Sequence, residues 1–162
     1  MIRDVLRRPR DVAALARDVA DMRRTIAAEK GDAARWDLKY TAGGLVDLEF
    51  IAQYLQLAHG AAAPEIFDTA TASVFDKAVR AGILAVEDAE VLRPATGLYQ
   101  DLGQILRLCV APPFDPEAAG ARLKELLTRA ADVPDFATLE AHLTETQERV
   151  RRCFVRILGE GI

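Results

Sequence analysis

Residues 37–57 read DLKYTAGGLVDLEFIAQYLQL, and the second half of this stretch decides the fold. Leu45, Leu48, Ala52 and Leu55 return at three- and four-residue steps, the period of an α-helix. Phe50, Ile51, Tyr54 and Leu57 fill the flanking positions, so the helix is apolar on most sides and belongs inside a bundle. Glu49, Gln53 and Gln56 share one stripe of it, which faces either solvent or a polar partner such as an adjoining domain. The helix is expected to run to about Ala58, with Gly60 as its stop.

Immediately before the helix stand Gly43 and Gly44, and before them Lys39. Backbone N–H groups freed by glycines at a helix start can hold a phosphate, with a lysine as counter-charge. This is not a P-loop, since GxxxxGK[ST] is absent and the lysine precedes the glycines. Nor is it a dinucleotide fingerprint, since GxGxxG is absent and no strand leads in. A tight turn feeding a buried helix is the better reading. Asp47 and Glu49 form a D-x-E pair, but on a helix two residues apart point about 200° from each other. The pair alone therefore makes no metal site, and acids in a first turn suit the helix dipole in any case.

Outward from this stretch the pattern stays helical. Val12, Leu15, Val19, Met22 and Ile26 give an amphipathic helix that Asp11 caps and Gly31 ends. Further helices are predicted over 67–80, with Gly82 as the stop, and over about 87–110. Pro94 is expected to kink that second one or divide it in two. After Pro112 and Pro113, Asp115–Pro116 marks the start of a helix reaching about Ala130. The last helix begins near Asp135, with Phe136, Leu139, Leu143, Val150, Phe154 and Ile157 on one side. Arg149, Arg151, Arg152 and Arg156 crowd its end and are read as a solvated face that suits the dipole. The fold class is all-α, an irregular bundle of about six helices, with 1–162 as a single helical domain.

Composition agrees with a folded, soluble chain: 162 residues, 51% hydrophobic and 28% charged. A net charge of −4 disfavours an electrostatic nucleic-acid binder. No run approaches the roughly 20 apolar residues of a membrane span. MIRDVLRRPR carries Asp4 and Pro9 and lacks a long apolar stretch, so an ordinary segment is expected there rather than a targeting peptide. Cys109 and Cys153 lack CxxC spacing and are read as free, buried thiols of a reducing cytoplasm. His59 and His142 have no partner at metal-ligand spacing, and GxSxG and HExxH are absent.

Read as a whole, K-x-x-x-G-G-L-x-D-L-E-F followed by IAQYLQL closely resembles the helical domain of the bifunctional glutamine synthetase adenylyltransferase/adenylyl-removing enzymes. RPRDVAALARDVADMR upstream and, more weakly, GILAVEDAEVLRPATGLYQDLGQILRL extend the resemblance over most of the chain. The related PII uridylyltransferases typically read GGLRD and lack the E-F and the IAQYL run. EFIAQYLQL resembles the second, adenylylating half, and the ending LGEGI fits such a protein's C-terminus.

The resemblance implies a nucleotidyltransferase-associated helical domain, inert by itself, with residues 1–10 ending the connection from a nucleotidyltransferase domain. The parent would use ATP and Mg²⁺ to transfer AMP to a tyrosine of glutamine synthetase, and would also remove it. The Gly-Ser element and strand-borne D-x-D of that chemistry are missing here and are expected before Met1. The domain itself is expected to bind no cofactor. Implied partners are the nucleotidyltransferase domain of the same polypeptide, glutamine synthetase, the PII signal protein and glutamine, in the cytoplasm. Lys39, Gly43, Gly44, Asp47, Glu49 and Gln53 are expected to form an interdomain or nucleotide-proximal turn, with Lys39 pairing Asp47 or Glu49 or reaching a phosphate. The alternatives are a stand-alone helical interaction module and a uridylyltransferase helical domain.

Overall fold

Asp11 accepts a hydrogen bond from the Ala14 N–H at 3.0 Å and so starts the first long helix, α1 (Val12–Lys30). Gly31, at φ +70°, ends it where the sequence places the stop. This is a computed structural model, which describes residue 5 and residues 8–31 and 33–159. The connection read over 1–10 falls largely outside the described residues, as does the end of LGEGI. The chain continues through α2 (Leu45–His59), a 3₁₀ turn (Pro64–Ile66), α3 (Thr71–Arg80), α4 (Val86–Cys109), α5 (Ala121–Ala130) and α6 (Phe136–Leu158). Among the described residues there are six α-helices and no strand, the all-α bundle that the apolar periodicity predicts.

Helix α2 is the hub and touches α1, α3, α4 and α6. Leu48 and Ile51 on α2, Phe75 on α3, Leu92 on α4 and Leu143 on α6 are completely buried in one shared cluster. The loop before α2 adds Trp36, stacked on Phe136 with ring centroids 5.5 Å apart and edge-on to Phe114 at 4.9 Å. No helix among the described residues is long and apolar enough to cross a membrane.

Several expectations need correction. On α1 Leu15 and Val19 of the apolar stripe pack against the core, but the fully buried positions are Ala20 and Arg23, and Val12 and Met22 at the edge of the stripe are exposed. The helix expected from 67 starts at Thr71. Asp68 first holds the chain in a turn, accepting from the Ala70 N–H at 2.9 Å, while its own N–H goes to Gln56 at 3.0 Å. Pro94 does not divide α4, which runs unbroken for 24 residues. Pro94 and Glu90, whose carbonyl loses its donor, are both exposed, so water can take that bond. Asp115 caps only one turn, accepting from Glu117 N–H at 2.9 Å. With Gly120 extended and little to bury in between, α5 restarts at Ala121.

The cysteines divide as well: Cys153 is buried but Cys109 is exposed, and both are free. The arginine-rich end of α6 is more than a solvated face. Arg156 pairs with Asp88 in the first turn of α4, and the Cys153 thiol donates to the same carboxylate at 3.3 Å. Burial pushes the Cys153 thiol up, against the pull of Arg149 and Arg152, so it stays a protonated donor. Arg151 reaches Asp47 on α2.

Candidate functional site: a locked glycine turn before α2

Helix α2 is apolar on nearly every side, yet Asp47 sits in its first turn with no exposed surface. A buried carboxylate needs charge and hydrogen bonds around it. Arg23 of α1 supplies both. Its Nε donates to Asp47 Oδ1, and its second amino group donates to the carbonyls of Tyr40 at 2.9 Å and Thr41 at 3.2 Å. Arg23 thus clamps α1, the 38–44 loop and α2 together. The other carboxylate oxygen, Asp47 Oδ2, accepts the Gly43 N–H at 2.7 Å and lies 3.6 Å from the Arg151 guanidinium.

Gly43 stands at φ +75°, the left-handed region that favours glycine. A β-carbon there would lie 1.8 Å from the Gln147 carbonyl oxygen, so α6 packs directly on the bare backbone. A β-carbon on Gly44 would meet the Leu38 carbonyl oxygen at 2.7 Å and that of Thr41 at 2.9 Å. The Gly43 carbonyl accepts the Tyr99 hydroxyl of α4 at 2.8 Å, and Gln147 donates to the Arg35 carbonyl at 2.8 Å. Burial, and then the charge of Asp47, push the Tyr99 phenol well above its ordinary range, so it remains a neutral donor. Replacing Tyr99 with phenylalanine strands a buried carbonyl. We expect a loss of about 1–2 kcal/mol in chemical denaturation, with the helix content unchanged.

This geometry decides the two chemical readings of the turn. The N–H groups that would cradle a phosphate are already spent: Gly43 on Asp47, Gly44 on Thr41 at 2.9 Å, Leu45 on Leu38 at 2.8 Å and Val46 on Lys39 at 3.1 Å. Both Asp47 oxygens face arginines or an N–H, and Glu49 points elsewhere from a partly exposed position. Among the described residues no group of three or more His, Cys, Asp or Glu side chains is placed to hold a metal. The donors of this turn therefore fit neither Mg²⁺ nor the phosphates of a nucleotide.

Of the six residues singled out from the sequence, the structure gathers Gly43, Gly44 and Asp47 into the buried lock. Lys39 pairs with neither acid. It is exposed, and its ammonium lies 5.2 Å from the centre of the Tyr40 ring, which Lys30 also approaches at 4.7 Å. Glu49 and Gln53 lie on the accessible side of α2, while Gln56 of the same stripe bonds the Asp68 backbone. Arg23, Tyr99, Gln147 and Arg151 were not singled out, although they complete the lock. A signal existed for the first: Asp47, Ile51 and Tyr54 share a buried face of the helix, so a cation had to come from elsewhere.

The described residues thus form an all-α bundle built around an apolar hub helix, its leading turn locked to three neighbouring helices. The chain belongs to the GlnD PII-uridylyltransferase family, whose profile matches residues 16–158. Among curated relatives, the bifunctional glutamine synthetase adenylyltransferase/adenylyl-removing enzyme of Rhodopseudomonas palustris strain BisB5 is 58% identical over 98% of this chain. The protein of that name from Bradyrhizobium sp. strain BTAi1 is 58% identical over 99%, and that from Xanthobacter autotrophicus strain Py2 54% over 95%. The chain spans only 16% of the length of these relatives. The E-F and IAQYL signature thus agrees with the adenylyltransferase branch of the resemblance.

Proposed function

We propose that this chain is the helical domain of a glutamine synthetase adenylyltransferase and serves to hold and orient a nucleotidyltransferase domain of the same polypeptide. The observation that carries the reading is the 58% identity over 98% of the chain to enzymes of that name. The parent enzyme would transfer AMP from ATP with Mg²⁺ to a tyrosine of glutamine synthetase and remove it, in the cytoplasm. Nucleotide and metal would be held by the nucleotidyltransferase domain, because the donors of the locked turn are spent on the chain itself. Residues 1–162 act as one helical unit in this reading, and the EFIAQYLQL run favours the adenylylating half.

The lock gives the interdomain surface its shape, and Lys39, Glu49 and Gln53 are its outward members. PII and glutamine are further partners that this surface would serve. Lys39→Glu together with Gln53→Ala in the full-length polypeptide tests the reading. The rate of AMP transfer to glutamine synthetase is expected to fall about tenfold, the loss of roughly 1.4 kcal/mol of positioning. Because both side chains are exposed, thermal unfolding of this domain should stay within about 0.5 kcal/mol of the parent. An unchanged transfer rate would remove Lys39 and Gln53 from the interdomain surface.

A further inference from the structure

Beside the lock, and sharing Tyr40 and Tyr99 with it, runs a groove of about 940 Å³ between the 34–40 loop, α4 and the 110–114 segment. Its floor is apolar, with Trp36, Leu45, Leu106 and Phe114. Its rim is polar: Lys39, Gln100, Gln104 and Arg107 line it, and all four are exposed. Among the described residues neither cation has a carboxylate partner, and neither glutamine amide has a hydrogen-bond partner. The charge of Asp37 on the same wall is engaged by the N–H groups of Lys39 at 3.3 Å and Tyr40 at 3.1 Å. The rim therefore offers two unneutralised positive charges and two free amides around an apolar trough, within a chain that is acidic overall.

The arrangement along α4 selects the ligand. Gln100, Gln104 and Arg107 follow at four- and three-residue steps on one face and span roughly 10 Å, the length of about three extended residues. Each glutamine amide offers a donor and an acceptor, the pair a peptide group requires. Between them, Gly103 lines the groove with nothing within 4 Å of where its β-carbon would be. A helix-interior glycine is less stable than alanine by about 1 kcal/mol, and no contact among the described residues requires this one. Close approach by another backbone would give it a use. A nucleotide phosphate would call for converging cations rather than a line of amides.

We propose that this groove binds an extended segment of another polypeptide, about three residues deep, with an apolar side chain in the trough and flanking acidic residues on Lys39 and Arg107. The test is a titration of the ¹⁵N-labelled 162-residue chain with acetyl-Glu-Leu-Glu-Phe-Glu-amide. The side-chain amides of Gln100 and Gln104 and the indole N–H of Trp36 should shift together and saturate. Affinity should fall at least tenfold in Arg107→Glu and for the peptide with lysines in place of glutamates. Gly103→Phe, whose β-carbon meets open space and whose ring projects into the trough, should abolish the shifts while leaving the rest of the spectrum intact. Equal binding of both peptides, retention of the shifts in Gly103→Phe, or response to AMP but not to the acidic peptide would each overturn the proposal.

Discussion

Replacing Asp47 with alanine is expected to lower the stability of this domain by about 3–5 kcal/mol, the cost of leaving a buried cation without its partner. Arg23 is 4% exposed, so most of its charge is held inside the domain. Its remaining acceptors, the Tyr40 and Thr41 carbonyls, carry no full charge. The same substitution strands the Gly43 N–H, which has no other acceptor in the structure. For a chain of this length such a loss corresponds to a drop of roughly 6–20 °C in Tm. The double variant Arg23→Met, Asp47→Leu should recover part of it, because the unpaired charge goes. Full recovery is not expected, since the turn's N–H and carbonyl groups still lack partners. Calorimetric unfolding of the two single variants and the double variant measures the coupling directly.

Gly43→Ala should be comparably damaging for a different reason. At φ +75° any side chain is strained, and the new β-carbon would lie 1.8 Å from the Gln147 carbonyl. Either α6 moves away from α2 or the turn rebuilds, and both break the contacts that Tyr99 and Asp47 make with Gly43. A loss of roughly 3–5 kcal/mol is expected. Gly103→Ala provides the contrast within the same chain. That position is helical with open space above it, so the substitution should stabilise by about 0.5–1 kcal/mol.

The hub helix was legible because its signal is local. Apolar residues at helical spacing, with Gly44 before and Gly60 after, need only the 3.6-residue period and glycine's place at helix ends. Asp11 and Asp135 were legible for the same reason, each capping its helix through an N–H three residues on. What escaped depends on partners far along the chain. Arg23 meets Asp47 across 24 positions, and Tyr99 meets Gly43 across 56. On α1 Leu15 and Val19 pack on the core as their period predicts, whereas Met22 is exposed and Arg23 beside it is buried on Asp47. Asp115–Pro116 is a true local start signal, but Gly120 and the short apolar supply after it end the turn. Lys39 looked like a partner for the nearby acids because it is close in sequence, yet the arginine from α1 had already neutralised Asp47.

The turn before α2 is an architectural lock whose donors and charges are spent inside the domain, and thermal unfolding with and without ligand tests this most directly. The unmodified chain and Asp47→Asn are compared in buffer, in Mg²⁺, and in Mg²⁺ with ATP. Asp47→Asn should unfold several degrees below the unmodified chain in all three, and neither chain should shift on adding Mg²⁺ or ATP. A rise in the Tm of the unmodified chain with Mg²⁺ and ATP that disappears in Asp47→Asn would contradict it, and would return Asp47 to the ligands of a nucleotide site.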